Sequence, residues 1–130
     1  MIITENNYVD KAEAVIQKLN NKKNKWGKPV GLVTTSKIRN LLSMTSDIYN
    51  EIQNYPDDKL DERLFGRIEY LRIHYIYEAG REPQVKDLIM EAEIPNILKQ
   101  IRGSKKNFIL FNHYMEALVA FRKFYGGRDD

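Results

Sequence analysis

The stretch DDKLDERLFGRIEYLRIHYIYEAG, residues 57–80, decides the fold class. Leu60, Leu64, Ile68, Leu71 and Tyr75 recur at the spacing of one helix face. Asp57 and Asp58 suit the start of that helix on both capping and dipole grounds. The pattern predicts a helix to about Ala79, with Gly80 as a left-handed stop. Tyr70, Ile73 and Tyr77 fall largely on other sides. A helix apolar on most sides is expected to be central.

Working outward, Pro83 opens a fourth helix in its first turn, with Val85, Leu88, Ile89 and Ala92 facing inward. Pro95 breaks or restarts it before Gly103. Ser104 then N-caps a last helix that reaches Tyr125 and stops at Gly126-Gly127. On the N-terminal side, Tyr8, Ala12, Val15, Ile16 and Leu19 predict a first helix over about 5–21. Residues 22–33, with Gly27, Pro29 and Gly31, read as a basic loop. Thr34 or Thr35 caps a second helix built on Ile38, Leu41, Leu42, Thr45, Ile48, Tyr49 and Ile52, which Pro56 ends. The expectation is an all-α protein: one compact helical bundle of five to six helices over 1–130, with the loop 22–33 between the first two. The last helix is also apolar nearly all round, from Phe108 to Phe124. A domain this size struggles to bury two such helices, so a protein interface is expected on one of them.

With 130 residues and no cysteine, disulfides and thiolate metal sites are excluded. No apolar run approaches the ~20 residues that span a bilayer. The N-terminus, with Glu5 and Asp10, lacks the features of a signal peptide. A cytoplasmic protein without membrane contact is the expectation.

The net charge of +3 hides a sorted distribution. From Ala14 to Ser46 there are seven cations (Lys18, Lys22, Lys23, Lys25, Lys28, Lys37, Arg39) and no acid. Residues 47–93 carry twelve acids against six cations. A second acid-free run, Ile94 to Met115, adds Lys99, Arg102, Lys105 and Lys106. Charge sorted in this way is what a polyanion can read.

Two helix starts sharpen that signal. Lys37 and Arg39 follow Thr34-Thr35-Ser36, and Lys105 and Lys106 follow Ser104. Cations near a helix N-terminus are unfavourable by a few tenths to ~1 kcal/mol. The same geometry gathers N–H groups, hydroxyls and cations around an arriving phosphate. Both starts are therefore candidate phosphate cradles; the alternative is two solvated surface turns. Trp26, between Lys25 and Lys28, is either a stacking aromatic for a single strand or a buried anchor. The run TTSKIRNLL could also serve as the recognition helix of a DNA-binding regulator, though residues 27–33 look like a loop and not a first helix.

Catalytic and metal signals are missing from the motifs. His74 sits mid-helix among apolar residues, and His113 has no carboxylate or histidine at ligand spacing. No HExxH, P-loop or nucleophile elbow occurs. No enzyme activity, cofactor or metal is expected.

The blocks TTSKIRNLLSM (34–44), Tyr75-x-Tyr77-x-Ala79-Gly80-Arg81 and Phe111-x-x-Tyr114-Met115-Glu116-Ala117-x-x-Ala120-Phe121-x-Lys123, with the Gly126-Gly127 ending, resemble one family. It is the small subunit of the type III-A CRISPR effector, the Csm complex. The blocks cover about half of the chain, in the family's order and separations. The resemblance implies a compact all-α bundle that is not a nuclease. It implies several copies stacked as an inner filament, or a dimer when free, along a backbone of larger subunits. These copies face the guide RNA–target RNA duplex and touch mainly its sugar-phosphate chain, while target cleavage and the DNase and cyclic-oligoadenylate activities belong to the backbone and large subunits. Carried over, the RNA-binding residues are Lys37, Arg39 and Arg81. Lys105, Lys106, Arg122 and Lys123 join them chiefly on the charge argument. Many relatives carry glutamine at 37 and tyrosine at 121, where this chain has Lys37 and Phe121, so a charge contact at 37 would be particular to this chain. The rival functions are the DNA-binding regulator and a purely structural helical spacer.

Overall fold

A computed structural model describes residues 1–28 and 31–126; Pro29 and Val30 of the basic loop, and residues 127–130 with the second glycine of the expected stop, lie outside the described residues. The described chain forms six helices: α1 (Tyr8–Asn20), α2 (Thr35–Ile52), α3 (Glu62–Arg81), α4 (Pro83–Glu91), α5 (Ile94–Ile101) and α6 (Lys105–Phe124). The all-α, single-domain expectation holds.

The helix at the centre is α6, not α3. It packs against α1, α2 and α5, while α3 lies beyond, against α2, α4 and α5. Phe108, Phe111, Met115 and Leu118 of α6 are fully buried. Each such side chain stabilises the fold by about 1.5–3 kcal/mol relative to exposure. By contrast, α3 buries one stripe, Leu64, Ile68, Leu71 and Tyr75. Its opposite side shows Tyr70, Ile73, Ile76 and Tyr77 to solvent at 55–62% exposure. Apolar character all round therefore has two causes here: a central position for α6, an uncovered face for α3.

Buried polar groups fix how these helices meet. The Tyr75 hydroxyl lies 2.6 Å from Thr45 Oγ1 and donates to the Leu41 carbonyl at 3.1 Å, tying α3 to α2. Burial pushes the Tyr75 phenol well above its ordinary pKa, against a smaller lowering by the Thr45 bond. The Tyr114 hydroxyl donates to the Ala92 carbonyl at 3.0 Å, tying α6 to the end of α4. Among the described residues no buried side-chain N or O lacks a partner.

Several helix boundaries differ from the sequence expectation, each for a local reason. Helix α1 starts at Tyr8, because residues 4–7 close a separate turn in which the Thr4 N–H donates to Asn7 Oδ1. Helix α2 ends at Ile52, ahead of Pro56. The N-cap of α3 is Asp61, whose carboxylate accepts the Leu64 N–H, so Asp57 and Asp58 lie outside it. Residues 58–60 instead run antiparallel to 103–105: the Leu60 N–H donates to Gly103 O at 2.8 Å, and the Lys105 N–H to Asp58 O at 2.7 Å. Gly80 is not a left-handed stop; α3 continues through Arg81 and ends where Glu82 turns extended (φ −140°, ψ 127°). Pro83 forces that, since the residue before a proline is sterically driven from the helical region. The α4–α5 break falls at Glu93, which takes a left-handed φ of 58° one residue before Ile94.

Candidate nucleic-acid interface

The start of α2 is built from three directions. Thr34 caps it, its hydroxyl accepting the Lys37 N–H at 3.2 Å. From below, the Arg122 Nε of α6 donates to the carbonyl of Val33, the residue before the cap, at 2.6 Å. From the α3–α4 junction, Glu82 forms an ion pair with the Lys37 ammonium. Arg81, next to Glu82 in the chain, reaches back to Glu78 at 3.3 Å and lies 5.7 Å from the centre of the Tyr77 ring. The TTSKIRNLL and YEAGR blocks thus come together around Glu82. Lys37 holds the Glu82 carboxylate, while Arg81, beside Glu82 in the chain, turns its side chain back along α3.

Arg39 stands elsewhere on the helix. Two residues along α2 is a rotation of about 200°, so Lys37 and Arg39 leave opposite flanks of the buried stripe. Arg39 shares its flank with Ser46, which donates to Asn112 of α6 at 3.4 Å. The Arg122–Val33 bond shows that the C-terminal end of α6, with Lys123, lies at this same end of the bundle. Both Arg39 and Lys123 are exposed and both engage neighbouring groups.

Arg122 is only 5% exposed. Burial lowers the pKa of its guanidinium. Its place is that of a strut beneath the α2 start, with little surface left for a phosphate. A sequence signal for this existed: Arg122 follows Phe111, Met115 and Leu118 at i+11, i+7 and i+4, on the core face of α6.

The second expected cradle is filled from within. At the start of α6, Asp58 accepts the Lys106 N–H at 2.9 Å and the Ser104 hydroxyl at 3.2 Å. Ser104 also caps the helix, accepting the Asn107 N–H at 3.2 Å. Lys105 donates to the Tyr55 carbonyl at 2.6 Å. A carboxylate already sits where an anion would go. This pair lies roughly 25 Å from Arg122, at about 1.5 Å of rise per residue along α6. Nothing in the local sequence announces that Asp58 crosses to α6.

Trp26 is 72% exposed and stands in the loop after α1, with Lys25 Nζ 4.5 Å from its ring centre. The two histidines make ring contacts: His74 meets Tyr70 edge-on at 4.6 Å, and His113 lies 6.3 Å from both Tyr8 and Tyr49. Among the described residues no three His, Cys, Asp or Glu side chains are grouped to hold a metal. No helix there is long and apolar enough to cross a membrane.

Comparison with known proteins points the same way as the motif blocks. Residues 13–128 match the family model described as Csm2 Type III-A. The chain is 48% identical over 128 residues to a Streptococcus thermophilus protein named CRISPR system Cms protein Csm2, spanning 98% of both chains. A Mycobacterium tuberculosis (strain CDC 1551 / Oshkosh) protein of the same name is 34% identical over 129 residues, 99% of both chains. An Enterococcus italicus protein, again of that name, is 38% identical over 95 residues, covering 72% of this chain and 68% of its own. A family match over most of its length and relatives spanning nearly all of it lead to one conclusion: the chain belongs to the Csm2 family of type III-A CRISPR systems.

Proposed function

We propose that this chain, the Csm2 small subunit of a type III-A CRISPR–Cas complex, is a non-catalytic clamp on the sugar-phosphate chain of guide and target RNA. The observation that carries the reading is the Lys37–Glu82 ion pair, which sets the α2 start against the α3–α4 junction beside Arg81, so that cations from separate sequence blocks lie at one end of the bundle. Arg39 and Lys123 extend the basic surface on the other flank of that end. Phosphate contacts supply affinity and register without sequence choice, which guide–target pairing provides. Lys105 and Lys106 contribute at longer range, since Asp58 occupies the backbone donors beside them.

The uncovered face of α3 fits the other half of the task. Tyr70, Ile73, Ile76 and Tyr77 form an apolar strip suited to packing against the backbone and large subunits or a neighbouring copy within a cytoplasmic particle. The test is the salt dependence of RNA binding by the assembled complex. Arg39→Ala and Arg81→Ala should flatten the slope of log K against log salt by about 0.7 for each single-strand phosphate released from the protein's grip, with helical circular dichroism unchanged. An unchanged slope removes those residues from the interface. A preference for one duplex DNA sequence over a scrambled one would favour the regulator instead.

A further inference from the structure

The loop after α1 holds the chain's single tryptophan out in solvent on a hydrogen-bonded turn. Asn24 organises that turn. Its N–H donates to the Lys28 carbonyl at 2.8 Å, and its carbonyl accepts the Gly27 N–H at 3.0 Å. Its side-chain oxygen accepts the N–H groups of Trp26 at 2.9 Å and Lys28 at 3.1 Å. Gly27 supplies the left-handed φ of 76° that the turn requires and that a side chain would resist. None of these bonds uses the indole. At 72% exposure Trp26 is not a buried anchor, and the fold forgoes the stabilisation its burial would give.

The surroundings of the ring are those of a nucleic-acid subsite. Lys25 lies against the indole, while Lys23 and Lys28 flank it in the exposed turn. Lys22 is held by Asp87 of α4 at 3.1 Å, which docks the near end of the loop. At the far end, Gly31 lies so close to Gln84 that an added Cβ would collide with that side chain. Gln84 is two residues beyond Glu82, the partner of Lys37. The loop therefore returns to the cationic patch at the α2 start.

We infer that Trp26 is a stacking platform for an unpaired RNA base, with Lys23, Lys25 and Lys28 meeting the adjoining phosphates. A π-face among cations binds any base, because every base has a flat face and a charged link on either side. A paired base inside a duplex does not offer that face. The inference rests on the RNA-clamp reading for the class of ligand, and adds a base contact to it.

Because Trp26 is the single tryptophan, emission from the isolated chain reports on this ring alone. Three probes separate the terms: an oligouridylate of about twelve nucleotides, within the span such sites cover; an abasic strand of equal length; and a blunt RNA duplex. The oligouridylate should quench the emission, whereas the abasic strand and the duplex should bind with comparable salt slopes and leave it unchanged. Trp26→Ala should weaken the oligouridylate about tenfold and leave the abasic strand unaffected; Trp26→Phe should keep most of the affinity. If Trp26→Ala is neutral, or the abasic strand quenches equally, stacking is wrong while the phosphate clamp survives. Absence of salt-dependent binding to any strand overturns both. With 5-fluorotryptophan in this chain, a resonance that moves on adding the RNA-free partner subunits and not on adding RNA would identify a protein anchor, and would also overturn the proposal.

Discussion

The starts of α2 and α6 read alike in sequence, a hydroxyl cap followed by two cations, yet the fold completes them differently. At α6 a carboxylate from the same chain, Asp58, sits on the Lys106 N–H and the Ser104 hydroxyl. At α2 the intramolecular acid, Glu82, pairs with the side chain of Lys37 on the flank of the helix. In the first case the acid replaces the anion; in the second it competes for one cation at a partly exposed position. Similar local chemistry thus produces one closed candidate anion site and one contestable candidate. Which is which depends on residues more than 40 positions away.

Three substitutions break or sharpen that contrast. The largest effect is expected from Arg122→Ala, which leaves the buried Val33 carbonyl without its charged donor. A loss of about 1.5–3 kcal/mol in denaturant unfolding is expected, together with weaker RNA binding because the α2 start loses its support. Unchanged stability would mean that the strut carries no weight. Next, Asp58→Ala should cost about 1–2 kcal/mol through loss of its bonds to the Lys106 N–H and the Ser104 hydroxyl and should open the α6 start. The RNA salt slope should then steepen by about 0.7, for one additional phosphate held. A slope that stays put would show that Lys105 and Lys106 cannot form a cradle even when emptied. Smallest is Glu82→Gln, which frees Lys37: RNA should bind about 1.4- to fivefold tighter, in keeping with ~0.2–1 kcal/mol for an exposed ion pair. Weaker binding would instead mean that Glu82 orients Lys37 and does not compete for it.

The periodicity of apolar residues carried the helices, because burial at 3.6-residue spacing is a local property. Ser104 and the choice of Thr34 or Thr35 as caps were legible for the same reason. The path of residues 57–60 was not, since acids before a helix look the same whether they cap it or cross to another. Nor could spacing distinguish a central helix from one with an uncovered face: α3 and α6 differ in what packs on them, not in composition. For the interface, Lys37, Arg39 and Arg81 could be singled out by motif and charge. That Glu82, the neighbour of Arg81, pairs with Lys37 needed the fold, whereas the opposite flanks of Lys37 and Arg39 follow from their spacing. Arg122 is the instructive case, because charge pointed it outward while its register on the core face pointed it in.

The Arg122–Val33 bond spans 89 positions of sequence. Seen from the ribosome, the N-terminal edge of α2 emerges early and must wait for nearly all of α6 before its last support arrives. A growing chain would therefore display Lys37 and Arg39 on an unfinished scaffold, and the end proposed to grip phosphate would be among the last parts of the molecule to set. Long-range closures of this kind are slow steps in folding. On the proposed reading, competence to hold RNA would then appear together with completion of the fold.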